Sequence, residues 1–192
     1  MKKVLIATTN KDKFSVVSKI LEKTIFPKDK YEIMALTTDM NIPDEKEVGS
    51  NIERARSKAI NAYTHLKGYN FDYIVGLDDA IFIKGTLQPN VKEYISKILF
   101  DNYLSVGERY EFNRAYCIID KDGKMYETSI GVPYEYKPLD HSVNLKEYSY
   151  PLSMVSCPIG KNIAVSDLSE EESTEYFLKY IKDDIMKLDI GR

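Results

Sequence analysis

The stretch 1–23, MKKVLIATTNKDKFSVVSKILEK, predicts a strand, a polar turn and a helix. Val4–Ala7 is a short apolar run with β-branched members, and Thr8–Lys13 is polar throughout. From Phe14 onward, apolar residues recur at helical spacing. A turn between the carboxyl end of a parallel strand and a helix N-terminus presents free backbone N–H groups, which suit a phosphate. The alternative interpretation is an ordinary strand–helix unit in which Thr or Asn caps the helix.

Length and composition suit one domain of ordinary size over residues 1–192, or one domain with a small appended lobe. The net charge is −3. That charge gives no bulk attraction to nucleic acid, so we expect no nucleic-acid partner. No apolar run reaches the roughly 18 residues of a membrane helix. The N-terminal apolar run is too short for a signal peptide, so we expect a cytoplasmic protein without a membrane partner. Cys117 and Cys157 are too few and too far apart for a disulfide framework or a zinc site.

The remaining pattern alternates strands and helices. Strands are predicted at 4–8, 31–36, 73–77 and 80–84, with a hairpin of 109–120 and 124–132 around an Asp-Gly turn. Helices are predicted at 11–23, 50–67, 91–104 and 169–188. Residues 133–158 have no regular pattern. The first strand, helix and strand predict a parallel βαβ unit.

Two positive charges share one face of the helix 50–67. Arg54 and Lys58 are one turn apart, so they repel each other unless an anion lies between them. The alternative is that both side chains are simply solvated.

Acidic residues concentrate in two places. The polar loop 37–49 carries carboxylates of the kind that Mg²⁺ accepts, although most such loops are merely solvated. These carboxylates are Asp39, Asp44, Glu45 and Glu47. Asp78 and Asp79 end the strand 73–77, where the ligand crevice of an open α/β sheet lies. They suit a metal ligand or a base, or else cap the next turn. Side chains alternate along a strand, so one of the pair is expected to point into the site.

Four short motifs occur in order within about the first 100 residues. Thr8–Lys13 has the form T-x-N-x-x-K, and Glu47–Gly49 with Glu53–Ala59 is similar to the pattern E-x-G…E-N-A-x-x-K-A. Asp78–Asp79 matches an acidic pair after a strand, and Val91–Ile95 is similar to P-G-x-Y-[IS]. Together they resemble the inosine-triphosphate pyrophosphatases, which remove deaminated purine nucleotides.

The resemblance implies an α/β fold with an elongated mixed central β-sheet flanked by helices, and two lobes with a nucleotide cleft between them. It implies a homodimer that uses Mg²⁺ to split an aberrant nucleoside triphosphate into monophosphate and pyrophosphate. The residues that would bind the triphosphate are Thr8, Thr9, Asn10, Lys13, Arg54 and Lys58. Glu47 or Asp44 would ligate the metal. Asp79 would ligate metal or activate the attacking water, and catalysis would rest on Asp79 and Lys13.

The chain departs from the family in the half that reads the base. Val16 stands where the family has Glu, and Ala80 and Ile81 replace its Ser and Gly. The aromatic-Asp-Pro segment, expected near Tyr148–Pro151, has no Asp, and the late Ser-His-Arg is absent. Two alternatives follow from these departures. One is a nucleotide-binding or partner-binding paralogue without catalysis, and the other is a phosphohydrolase acting on a nucleotide sugar or modified pyrimidine.

Overall fold

A computed structural model of the chain describes residues 1–43, 46–138 and 151–190. Within that part, the strands are β1 (Lys2–Ile6), β2 (Tyr31–Ala35), β3 (Tyr73–Ile83), β4 (Thr86–Gln88), β5 (Arg109–Asp120), β6 (Met125–Tyr136) and β7 (Ser156–Pro158). The α-helices are α1 (Lys11–Glu22), α2 (Asn51–His65), α3 (Val91–Phe100) and α4 (Glu170–Met186). Short 3₁₀ turns cover Thr38–Met40, Pro151–Met154 and Val165–Asp167.

The strands form one mixed central sheet in the order β2-β1-β3-β5-β6-β7, with β4 paired to β3. β1 pairs in parallel with both β2 and β3, and Ile6 lies opposite Ala35 and Val75. The predicted parallel βαβ unit is therefore confirmed. The β3–β4 and β6–β7 pairs are antiparallel. Because β1 has a parallel neighbour on each side, the carboxyl ends of β1 and β2 lie together beside the polar turn Thr8–Lys13 (the first turn), and β3 continues past them.

Helix α2 packs very closely on β3. A Cβ atom added to Gly76 would lie 2.1 Å from the carbonyl oxygen of Ala55 and 2.5 Å from the amide nitrogen of Ala59. Only glycine on the strand, facing alanine on the helix, permits this approach. Side chains alternate along a strand, so Asp78, two residues beyond Gly76, shares the α2 face, and Asp79 points to the other face.

The predicted break after Asp78–Asp79 is wrong. β3 continues through the acidic pair to Ile83, and nearly all of its residues are buried. Two carboxylates inside a buried strand need compensating positive charge, which sequence-local reasoning does not supply. Three basic side chains from α1, α2 and β5 provide this positive charge, so the strand can continue through the two carboxylates while they stay buried.

Other predicted features are confirmed or corrected in detail. The hairpin is confirmed, because β5 and β6 are neighbours joined by a turn in which Gly123 has φ of +84°. Capping boxes are present at Ser50–Glu53 and at Ser169–Glu172. The irregular assignment of 133–158 is wrong where β6 extends to Tyr136 and β7 forms. Residues 139–150 lie outside the described part of the chain.

The chain divides into two compact units. The first comprises Met1–Asp79, Arg114–Ile130 and Ile181–Arg192, and the second comprises Ala80–Asn113 and Gly131–Tyr180. All the charged motifs singled out in the sequence before Ala80 belong to the first unit. In the described residues, no helix is long and apolar enough to span a membrane.

The second unit has an aromatic core, which accounts for part of the chain's high tyrosine content. The rings of Tyr134 and Tyr176 lie 5.3 Å apart, and those of Phe112 and Phe177 lie 5.9 Å apart. The Tyr176 hydroxyl donates to the carbonyl oxygen of Pro133 and accepts from the amide of Ile159. A buried tyrosine hydroxyl usually has such a partner, and these bonds hold the part of α4 around Tyr176 on this unit.

Candidate functional site

A cavity of about 340 Å³ opens at the carboxyl ends of β1 and β2, within the first unit. One part of its wall is apolar, and the other carries hydroxyl, amide, ammonium and carboxylate groups. The residues that line it are Ala7, Thr8, Thr9, Lys13, Leu36, Ile42, Pro43, Glu47, Lys58, Asn61, Ala62 and Leu77. Five of the residues singled out in the sequence therefore meet here, namely Thr8, Thr9, Lys13, Glu47 and Lys58.

The first turn is held by hydrogen bonds within itself. The Asn10 side chain caps α1, because its Oδ1 accepts from the backbone amide of Lys13 at 2.9 Å. The Thr8 hydroxyl oxygen accepts from the backbone amide of Asn10 at 3.2 Å. The capping interpretation is thus confirmed, and it does not exclude the phosphate site. The cap holds the turn between β1 and α1 so that Thr8, Thr9 and Lys13 line the cavity.

Lys13 reaches from α1 to the acidic pair on β3. Its Nζ lies 2.8 Å from Oδ2 of Asp79. The same carboxylate accepts two hydrogen bonds from Arg114 on β5, from Nε to Oδ1 at 2.6 Å and from Nη2 to Oδ2 at 3.2 Å. Asp79 is 8% exposed and Arg114 is 5% exposed. Burial alone would raise the pKa of Asp79, but the Arg114 and Lys13 charges outweigh it and hold the pKa well below its usual range.

Lys58 forms a second charged cluster from α2. Its ammonium donates to Oε1 of Glu47 at 2.9 Å and makes a short hydrogen bond to Oδ1 of Asp78. Burial alone would lower the pKa of Lys58, but the two carboxylates outweigh it and raise the pKa above its usual value. One ammonium group therefore stands between two converging carboxylates.

Glu47 also explains how Arg54 and Lys58 tolerate each other. Its other oxygen, Oε2, lies 3.8 Å from Nη1 of Arg54, whose Nε donates to the carbonyl oxygen of Gly49 at 3.1 Å. Arg54 is only 8% exposed, so the simply solvated alternative is wrong for it. The anion that the spacing requires is Glu47, supplied by the acidic loop.

The acidic pair does not line the cavity, but each member contacts a different lysine of its wall. That one of the pair points into the site stays a prediction. Alternation along β3 directs Asp78 to Lys58 and Asp79 to Lys13. Because these lysines come from helices on different faces of the strand, each carboxylate holds one of the two cavity lysines. Asp44, the alternative metal ligand, lies outside the described residues.

The sequence analysis missed Arg114 and the separate role of Asp78. A signal for Arg114 exists, since it is the single cation within Tyr110–Ile119, a stretch that otherwise predicts a strand. A buried guanidinium requires an anionic partner, which points to an unassigned carboxylate elsewhere in the fold. The partner itself is 35 residues away in sequence and is found only from the sheet order.

Solved structures of other proteins match this architecture over nearly its whole length. A nucleoside-triphosphatase, or dITP/XTP pyrophosphatase, from Mycobacterium abscessus matches with 16% identity, 97% coverage of both chains and a TM-score of 0.58. A HAM1 protein from Coxiella burnetii matches with 12% identity, 98% coverage of both chains and a TM-score of 0.67. The chain has the Ham1 fold.

The Ham1 protein of Staphylococcus aureus is also similar, with 17% identity, 88% coverage of both chains and a TM-score of 0.57. No family model matches the sequence, and no curated protein matches it. The resemblance inferred from four short motifs is therefore confirmed for the fold. At such low identity, the shared Ham1 fold leaves the chemistry to be argued from the side chains of the site.

The charged side chains fit a divalent cation with hard oxygen ligands. Glu47 and Asp78 converge on one positive charge, the Lys58 ammonium, and so form the two-carboxylate arrangement that suits Mg²⁺. Across 1–43, 46–138 and 151–190, no three His, Cys, Asp or Glu side chains are grouped to hold a metal. Mg²⁺ is commonly held by one or two carboxylates together with substrate phosphates, which two protein ligands satisfy.

Proposed function

We propose that this protein is a Mg²⁺-dependent nucleoside triphosphate pyrophosphatase that acts on an aberrant nucleotide, such as one with a deaminated purine. The observation that carries the proposal is the cavity at the strand ends, where Lys13 and Lys58 stand beside two hydroxyl groups. Each lysine is paired with one carboxylate of Asp78–Asp79. Phosphoryl transfer needs this combination of positioned cations and metal-binding carboxylates.

The triphosphate would bind through residues on both helices. Thr8, Thr9 and Lys13 supply hydroxyl and ammonium donors from the first turn, and the N-terminus of α1 adds its positive dipole end. Lys58 approaches from α2, where Arg54 adds charge behind Glu47. Asn10 serves the substrate indirectly, because its side chain fixes the turn that presents these donors.

The metal would be held by Glu47 and Asp78, with Asp44 of the same acidic loop as a further carboxylate. Held there, Mg²⁺ would neutralise charge on the phosphate oxygens and so favour attack by water on the phosphorus. Lys58 then exchanges its carboxylate partners for a phosphate oxygen. In this scheme the Lys58 ammonium balances Glu47 and Asp78 only until nucleotide binds.

Asp79 contributes to catalysis by holding Lys13 against the cavity. A carboxylate that accepts from Lys13 and twice from Arg114 is a weak general base, because its pKa lies far below the operating pH. Its negative charge instead places the Lys13 ammonium at the cavity until a phosphate oxygen replaces Asp79 as its partner. We therefore assign the catalytic importance of Asp79 and Lys13 to the placement of one positive charge, the Lys13 ammonium, at the transferred phosphate.

The proposed substrate class is supported by a solved structure of the same fold. The Mycobacterium abscessus protein of the same fold is described as a dITP/XTP pyrophosphatase, which favours a triphosphate substrate with a non-standard purine. We also propose that the protein is a cytoplasmic homodimer. The base itself is recognised by residues that the four motifs do not include, so the substrate panel must be broad.

The test is pyrophosphate release from a panel of nucleoside triphosphates. The panel contains inosine, xanthosine and the common purine and pyrimidine triphosphates, each with Mg²⁺ and with chelator. We expect metal-dependent release of pyrophosphate and monophosphate from one or a few members. If a protein shown to be folded released no pyrophosphate from any member of the panel, the proposal would be overturned. A nucleotide-dependent rise in Tm without turnover would then identify the binding paralogue.

A further inference from the structure

We propose that Arg114 is a positioning residue of the triphosphate site, which frees Lys13 to exchange Asp79 for a phosphate oxygen. The inference rests on the proposed function in its use of the cavity for phosphate. It extends that function to a residue on β5 that does not line the wall formed by the first turn and α2.

The geometry is that of a fork-shaped guanidinium facing one carboxylate. Arg114 donates from Nε to Oδ1 of Asp79 and from Nη2 to Oδ2, so the carboxylate is fixed in one orientation. Lys13 contacts Oδ2, at 2.8 Å. The two cations are unequal in exposure, since the Lys13 side chain is 19% exposed and the Arg114 side chain 6%. Arg114 is the permanent buried partner, and Lys13 is the cation that faces the cavity.

This arrangement keeps the buried Asp79 carboxylate compensated when Lys13 moves to a phosphate. If Lys13 were the sole partner of buried Asp79, moving it to a phosphate would leave a buried carboxylate without a compensating charge. The carboxylate would therefore hold Lys13 and oppose phosphate binding. With Arg114 in place, Asp79 stays compensated whichever anion Lys13 contacts.

The experiment measures binding of inorganic tripolyphosphate by calorimetry to wild type and three variants, each checked for a cooperative thermal unfolding transition. Arg114→Gln is expected to weaken binding about tenfold, because Asp79 then retains Lys13. Arg114→Lys loses the two-point contact but keeps the compensating charge, so its affinity is expected to stay within about threefold of wild type. The double variant Arg114→Gln/Asp79→Asn removes the retaining carboxylate and is expected to recover the lost affinity.

Arg56→Gln is the matched control for the lost positive charge. Arg56 forms a similar two-point pair with Glu127 in the same unit, at 2.6 and 2.8 Å, and takes no part in the cavity wall. Its tripolyphosphate affinity is expected to equal that of wild type. If Arg56→Gln weakened binding as much as Arg114→Gln, general charge would account for the loss and the inference would be overturned.

Recovery in the double variant is the outcome that a merely structural role would not give. Should Arg114 only support the fold, adding Asp79→Asn would weaken binding further or leave the loss unchanged, and the inference would fail. The proposed function is judged separately by pyrophosphate release. If the double variant recovers tripolyphosphate binding but the wild type releases no pyrophosphate from any nucleotide, the role of Arg114 is supported and the proposed enzymatic activity is refuted. Failure of wild type to bind tripolyphosphate would reject the role of Arg114.

Discussion

At the scale of single residues, the site depends on the alternation of side chains along β3. Consecutive carboxylates point to opposite faces, and each meets a lysine from the helix on its own face. Both lysines then reach the cavity at the carboxyl ends of the strands. Adjacent acidic residues thus organise two cations that come from helices far apart in the chain.

Replacing Lys58 tests whether its ammonium occupies a cation site. Lys58→Met removes the positive charge between Glu47 and Asp78, and the two carboxylates are left facing each other. We expect the nucleotide-free variant to bind Mn²⁺ roughly tenfold more tightly than wild type, because the competing charge is gone. Electron paramagnetic resonance of free Mn²⁺ measures the change. Equal affinity in the two proteins would contradict the assignment of these carboxylates to a metal.

At the scale of secondary-structure elements, α2 and β3 define the site by their close packing. The helix carries Arg54 and Lys58, and its capping box at Ser50 sets where the helix begins. Alanines on the inner face, with Gly76 opposite, allow the helix backbone to approach the strand. This short distance lets Lys58 reach the carboxylate of Asp78.

Gly76→Ala should separate these elements. The added methyl would lie 2.1 Å from the Ala55 carbonyl oxygen, so the helix must shift, and we expect a loss of about 3 kcal/mol in the free energy of unfolding. Gly68→Ala is the control, since an added Cβ there has nothing within 4 Å. Urea unfolding of both variants measures the difference. Equal stability of the two variants would show that the close approach is not required.

The elements with a strong local pattern were predictable from the sequence. The βαβ unit, the helix capped by Ser50 and the hairpin at Gly123 each rest on short-range periodicity or turn chemistry. The continuation of β3 was not predictable, because its carboxylates are compensated by cations distant in sequence. Five residues of the cavity wall were found from motifs, whereas the partner of Arg114 could be identified only once the sheet order placed β5 beside β3.

At the scale of the whole molecule, the boundary between the two compact units falls within strands. β3, β5 and β6 each contribute residues to both units, so neither unit contains all of the central sheet. Each unit carries one buried cysteine, Cys117 in the first and Cys157 in the second. The two thiols therefore report on the two units independently.

Both thiols are expected to be unreactive in the native protein at pH 8. Burial and the nearby Glu127 carboxylate raise the pKa of Cys117 to about 12, and burial raises that of Cys157, so the reactive thiolate is scarce. In increasing urea, we expect both to become reactive at one midpoint, because the units share strands. Mass spectrometry of alkylated peptides distinguishes the two sites. Labelling at clearly different urea concentrations would show that the units unfold separately.

The measurement that tests the central claim most directly is pyrophosphate release by Lys13→Met beside Lys23→Met. Lys13 lines the cavity, whereas Lys23 is exposed at the opposite end of the same helix, so the two variants lose equal charge. On the preferred substrate of the wild type, we predict that Lys13→Met loses about 100-fold or more in kcat/KM and that Lys23→Met keeps wild-type activity. Full activity in a folded Lys13→Met variant would contradict the assignment of this cavity as the triphosphate site.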